Sequence, residues 1–157
     1  MKQRFFLGLI SLSAFLSSWE LAATAGEMAP TTQQTWTLRA LISELEENHF
    51  ADKRYNDAMS AAHLETYLER LDRSRVYFTQ SDIAGFMRYE DRLDDLGRQG
   101  ELSPLYEIFN LYAKLATERL DTIIGDMDPM VSGFDFERQE FIEADPRDRA
   151  WANSRDE

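Results

Sequence analysis

Cysteine is absent from the 157 residues. That excludes a disulfide framework and a thiolate metal site, and it leaves no thiol for a lipid anchor. Lysine is scarce: beyond Lys2 only Lys53 and Lys114 occur. A serine nucleophile would have few bases to draw on, and no S-x-x-K, G-x-S-x-G or Gly-rich phosphate loop is present. The two histidines, His49 and His63, lack H-E-x-x-H or any other metal spacing. His49 follows a helix end beside Phe50, where a surface or capping role is expected. Neither catalytic residues, nor a cofactor site, nor metal ligands are expected. Positive charge is also in short supply. Lys and Arg number 17 against 29 Asp and Glu, a net charge of −12. Such a surface repels nucleic acid phosphates and anionic lipid heads.

Long apolar runs are missing except for one at the start. Lys2 and Arg4 precede the run Phe5 to Leu16, and Ala23-Thr24-Ala25 supplies small residues after it. A membrane-crossing helix needs about 20 apolar residues, so this run is too short to span. Positive start, short apolar centre and small-residue exit are the layout of a secretory signal peptide over residues 1–25. Cleavage is expected between Ala25 and Gly26. The product would be free in the periplasm, with no stable membrane span and a single domain resting on its packed core.

Beyond the leader the apolar spacing is mostly helical. Residues 26–35 read as a flexible lead-in and 36–128 as a helical domain. Leu38, Leu41, Ile42 and Leu45 fall on one face, predicting a helix from about Thr37 to Asn48. Asn56 or Asp57 can cap a second helix with the stripe Ala61, Leu64, Leu68 and Leu71. A third is expected after Ser81 as N-cap, with Asp82 favourable to the helix dipole and Ile83, Phe86, Tyr89 or Glu90, Leu93 and Leu96 on its apolar face. Gly97 and Gly100 are stop signals. Ser103-Pro104 starts a fourth helix through Leu105, Ile108, Tyr112, Leu115, Leu120 and Ile123, ending near Gly125. The expected fold is all-α: a small bundle of about four amphipathic helices with an irregular acidic segment at 129–157. Phe134 and Phe136 alternate there as in a short extended piece. Phe141, Ile142 and Trp151 are isolated large apolar residues in a polar tail, as if packed against something.

Two acidic groups invite a test for chemistry. Asp91, Asp94 and Asp95 interleave with Arg88, Arg92 and Arg98, and are expected on a wet helix face laced by weak pairs. Asp72-Arg73-Ser74-Arg75 fails as a calcium loop, because its fifth, sixth and twelfth positions are Val76, Tyr77 and Ile83. The stretch is better read as architecture. Leu71 ends one stripe and Ile83 begins the next, so Tyr77 and Phe78 can drop two rings into the junction. Asp72 and Arg75 can pair or cap local backbone. Asp72, Arg75, Tyr77, Phe78 and Asp82 form the candidate structural or docking motif.

The same residues carry a family likeness. "YLERLDRSRVYFTQSDIAGF" at 67–86 resembles the N-terminal domain of tail-specific (C-terminal-processing) serine proteases of the bacterial periplasm. "ENHF" at 47–50, "LDDLGRQGELSPLYEIFNLYAKLATERL" at 93–120, "FDF" at 134–136 and "ADPRDRAW" at 144–151 are similar to further stretches of that domain. The resemblance implies a helical, non-catalytic part. Full-length members continue into a PDZ domain and a protease domain with a Ser–Lys dyad, and act on C-terminal tails of exported proteins. Its expected partners are therefore proteins: the remaining protease domains, substrates or an adaptor. Residues 129–157 would lead into a missing continuation. The alternative is a free-standing acidic helical adaptor of the periplasm.

Overall fold

The computed structural model describes residues 26–48, 54–127 and 149–155, with 133, 135, 137, 139, 141, 144 and 145 singly between them. Five α-helices occur among the described residues, and no sheet. They are α1 (Thr32–Asn48), α2 (Asp57–Leu71), α3 (Gln80–Phe86), α4 (Leu93–Gln99) and α5 (Ser103–Gly125). The fold is all-α, a small bundle. The expected leader at 1–25, His49 with Phe50, the Phe134/Phe136 pair and Ile142 lie outside the described residues.

Helix α1 begins five residues before the expected Thr37, and its start has a local cause. Thr31 and Gln34 form a T-x-x-Q cap: the Gln34 side chain accepts from the Thr31 N–H at 2.8 Å, and the Thr31 hydroxyl accepts from the Gln34 N–H at 3.3 Å. Nor is the stretch before it without partners. Asn110 on α5 accepts from the Met28 N–H at 2.9 Å and donates to the Met28 carbonyl at 2.8 Å. Helix α2 is capped by Asn56, whose side chain accepts from the Met59 N–H at 3.1 Å.

The expected third helix is two helices. Its cap is Thr79, not Ser81, which lies inside α3. Thr79 has extended backbone, its hydroxyl accepts from the Asp82 N–H, and the Asp82 carboxylate accepts from the Thr79 N–H at 2.9 Å. After Phe86 a 3₁₀ turn, Met87–Tyr89, tightens the chain, and α4 starts afresh at Leu93. In an unbroken helix Asp94 would sit about 80° round from Phe86. The break turns α4 so that Leu93, Asp94 and Gly97 all face inward.

Gly97 does not stop the helix; it lets α1 approach α4. A Cβ there would lie 2.7 Å from the Ile42 side chain. The stop is Gly100, left-handed at φ 75°, with the Glu101 N–H reaching back to the Leu96 carbonyl at 2.8 Å. Helix α5 then runs along the core. Leu64, Leu68, Phe78, Phe86, Leu93, Ile108 and Leu115 form that core. It draws on α2, α3, α4, α5 and the junction between α2 and α3.

Candidate functional site

The junction from Leu71 to Gln80 brings together the five residues singled out in the sequence. Asp72 ends α2, its N–H still bonded to the Leu68 carbonyl at 2.9 Å. Its side chain is 1% exposed. One carboxylate oxygen accepts from the Val76 N–H and the other from the N–H groups of Tyr77 and Phe78, each at 2.9 Å. An acceptor-only group of two oxygens thus satisfies three consecutive backbone donors that no helix or strand would otherwise serve. Charge-assisted bonds of this kind are the stronger ones.

Phe78 is the ring that this clamp delivers to the core. It is 1% exposed and meets Phe86 edge-on at 5.4 Å, with Tyr112 at 6.2 Å and Trp151 at 6.3 Å. Tyr77 is half-buried, edge-on to Tyr112 at 5.2 Å. Asp82 closes the α3 cap and also meets Arg155 at 3.3 Å.

Arg75 does not direct its guanidinium to Asp72. Its backbone N–H bonds the Asp72 carbonyl at 3.0 Å in a turn, and its φ of 52° is left-handed. The side chain reaches over the Trp151 ring at 5.1 Å and donates to the Arg149 carbonyl. In return Arg149 donates to the Ser74 carbonyl at 3.3 Å. Residues 149–155 therefore form a strap across the junction. A parallel bridge joins Thr79 to Ala152, the Gln80 N–H donates to the Ala152 carbonyl at 2.9 Å, and the Gln80 side chain donates to the Trp151 carbonyl at 3.1 Å.

A second polar cluster lies where α1, α2 and α4 meet, and spacing had put it on a wet face. Asp95 is exposed, but Asp94 is 5% exposed. The fully buried Ser60 donates to its carboxylate at 3.0 Å, and the Ser60 hydroxyl accepts from the Asp94 N–H at 2.9 Å. Arg98 pairs with Asp94 at 2.9 Å, with Glu46 on α1 at 2.9 Å, and donates to the Tyr55 carbonyl. Burial alone would raise the Asp94 carboxyl; bonds from Arg98, Ser60 and the backbone outweigh it and hold it below its ordinary value. The hydrogen bond from Arg98 lowers Glu46 likewise, and both acids raise Arg98. Burial pushes the Tyr55 phenol up. Its hydroxyl meets His63 Nδ1 at 2.9 Å. The signal for this cluster was weak: a small polar residue, Ser60, one turn before Leu64 of the α2 stripe.

Beside the cluster a groove of about 500 Å³ opens between α1, α2 and the start of α5, walled by Leu38, Leu41, Leu45, Met59, Tyr67 and Leu105. Among the described residues no group of three or more His, Asp or Glu could hold a metal ion, and no helix is long and apolar enough to cross a membrane. Every buried side-chain polar atom among them has a partner. The arrangement is a helical domain whose central junction is locked by a buried carboxylate and strapped by a later segment.

The comparisons place this domain. The family described as the tail specific protease N-terminal domain matches residues 41–157. The chain belongs to that family. A tail-specific protease of Haemophilus influenzae is 30% identical over 105 residues, which are 65% of this chain and 15% of that protein. The chain thus spans a small part of the length of that relative. No solved structure matches it.

Proposed function

We propose that the chain serves as the non-catalytic N-terminal domain of a periplasmic tail-specific, C-terminal-processing serine protease. In that setting it shapes substrate access or docks partners during proteolysis of exported proteins. The observation that carries this reading is the family match across residues 41–157. The character of the junction supports it. Asp72, Thr79 and Phe78 are buried and satisfied internally, which suits holding a shape rather than turning over a substrate. The apolar groove offers a surface on which a protein segment can rest. The layout of residues 1–25 supports export, with cleavage between Ala25 and Gly26.

The test is an assay of the purified chain with peptides that end in apolar tails. No turnover is expected, because the chain lacks S-x-x-K and G-x-S-x-G. Turnover that survives repurification away from host proteases would sink the reading. Joined to a PDZ domain and a Ser–Lys protease domain, the chain should alter which tails are cleaved.

A further inference from the structure

The distal end of α5 carries an apolar face that nothing among the described residues covers. Leu120, Ile123 and Ile124 recur at i, i+3 and i+4 and are 54%, 41% and 65% exposed, and Met127, just past the helix end, is 51% exposed. They do not continue the seam that α5 packs on the core. At 3.6 residues per turn, the buried Pro104, Ile108 and Leu115 point within about 40° of one another, while the distal stripe is centred about 130° further round. Where the core seam would continue stand the polar Thr122 and Asp126, both exposed. The sequence turns its apolar face as soon as the core ends. The new stripe is about 100° wide, the width a helix presents to a packing neighbour.

The borders of the stripe say what kind of neighbour fits. Asp121 flanks one edge and Asp126 the other, each about 60° beyond the apolar residues. The nearby cation Arg119 turns back to donate to the Val76 carbonyl at 3.2 Å. A second copy of this chain would set the same aspartates against each other, and an anionic bilayer would meet a net charge of −12. We propose that this face docks an amphipathic helix of a partner protein, one with lysine or arginine beside its apolar stripe. The proposal stands apart from the proteolytic role above, since it needs only this face and its charge.

The test uses a labelled synthetic helix of leucine and lysine, with one apolar face and lysines along its borders, titrated with the purified chain by fluorescence anisotropy. Saturable binding is expected, weakening as salt rises from about 50 to 500 mM. Ile124→Asp should weaken it on the order of tenfold or more. Trp36→Asp, on the exposed side of α1 and outside the groove, should bind as wild type does, and a glutamate version of the peptide should not bind. Both sites are largely exposed, so the variants' melting curves should overlay the wild type's. Absence of saturable binding overturns the proposal, as does undiminished binding by Ile124→Asp or an equal loss in Trp36→Asp. Sedimentation showing a wild-type dimer that Ile124→Asp dissolves would assign the face to self-association instead. Binding to phosphatidylglycerol vesicles would assign it to lipid.

Discussion

At the scale of single residues, the junction concentrates its stability in Asp72 and Phe78. Phe78→Ala removes a ring that contacts Phe86, Tyr112 and Trp151, and should cost about 3–5 kcal/mol in urea unfolding. Asp72→Ala strands three N–H groups, that of Phe78 buried and those of Val76 and Tyr77 part-buried, and should cost about 3 kcal/mol or more. Both variants should also lose cooperativity of the near-UV signal from Tyr77 and Trp151. A melting temperature unchanged in Phe78→Ala would mean that the ring is not a core anchor. Arg75 separates backbone from side chain. Its φ of 52° favours glycine, so Arg75→Gly should be more stable than Arg75→Ala by about 1 kcal/mol, although both lose the contact with Trp151. Equal stabilities would show that the left-handed turn relaxes when the side chain is gone. Asp72 and Phe78 were legible because a charged turn and two rings stood between two apolar stripes. The destination of Arg75 was not, since it depends on a segment more than seventy positions away.

At the scale of elements, the Ser60–Asp94–Arg98–Glu46 cluster ties α1, α2 and α4 together. Asp94 and Glu46 are both held below their ordinary values of 3.8 and 4.5. Groups depressed in the folded state add stability that is fully present above the unfolded values and is lost as pH falls through the folded ones. Melting temperature should therefore be flat from pH 7 to about 5 and fall below that. Glu107 and Glu101, also lowered, act in the same direction. Asp94→Asn should melt lower at pH 7 and show a shallower acid limb; an unchanged limb would remove Asp94 from the clamp. The helices themselves were readable from apolar periodicity. What periodicity missed was the break after Phe86, which Gly85 alone hints at and no proline marks, and hence the burial of Asp94. The T-x-x-Q cap at Thr31 was readable in principle. Its polar turn precedes the first apolar stripe residue, so a search keyed to apolar spacing starts too late.

At the scale of the whole molecule, residues 149–155 close the structure over its earliest-specified junction. The likeness to tail-specific protease domains was legible in the residues of that junction, whereas the packing of the strap was visible only as Trp151 among isolated apolar residues of a polar tail, of which Phe141 is in fact 99% exposed. An isolated tryptophan names a need for burial without naming the surface that meets it. The surface is Arg75 and Phe78, with Gln80 supplying the backbone contact. This pairing predicts a local rather than global dependence. Trp151→Ala removes the ring from over Phe78 and leaves the strap held by polar contacts alone. Such contacts compete with water once the apolar cover is lost. The Gln80 amide, which donates to the Ala152 carbonyl, should then exchange with deuterium on the order of tenfold faster. The amides of Val76, Tyr77 and Phe78 should accelerate less, because their acceptor is the buried Asp72 carboxylate and not the strap. The Asp94 amide, bonded to Ser60 on the other side of α2, should keep its wild-type rate. Uniform acceleration at all of these positions would show that the strap is part of one cooperative unit with the bundle. The expected gradient, steepest at Gln80 and absent at Asp94, would show a separable segment that opens while Asp72 still holds the junction.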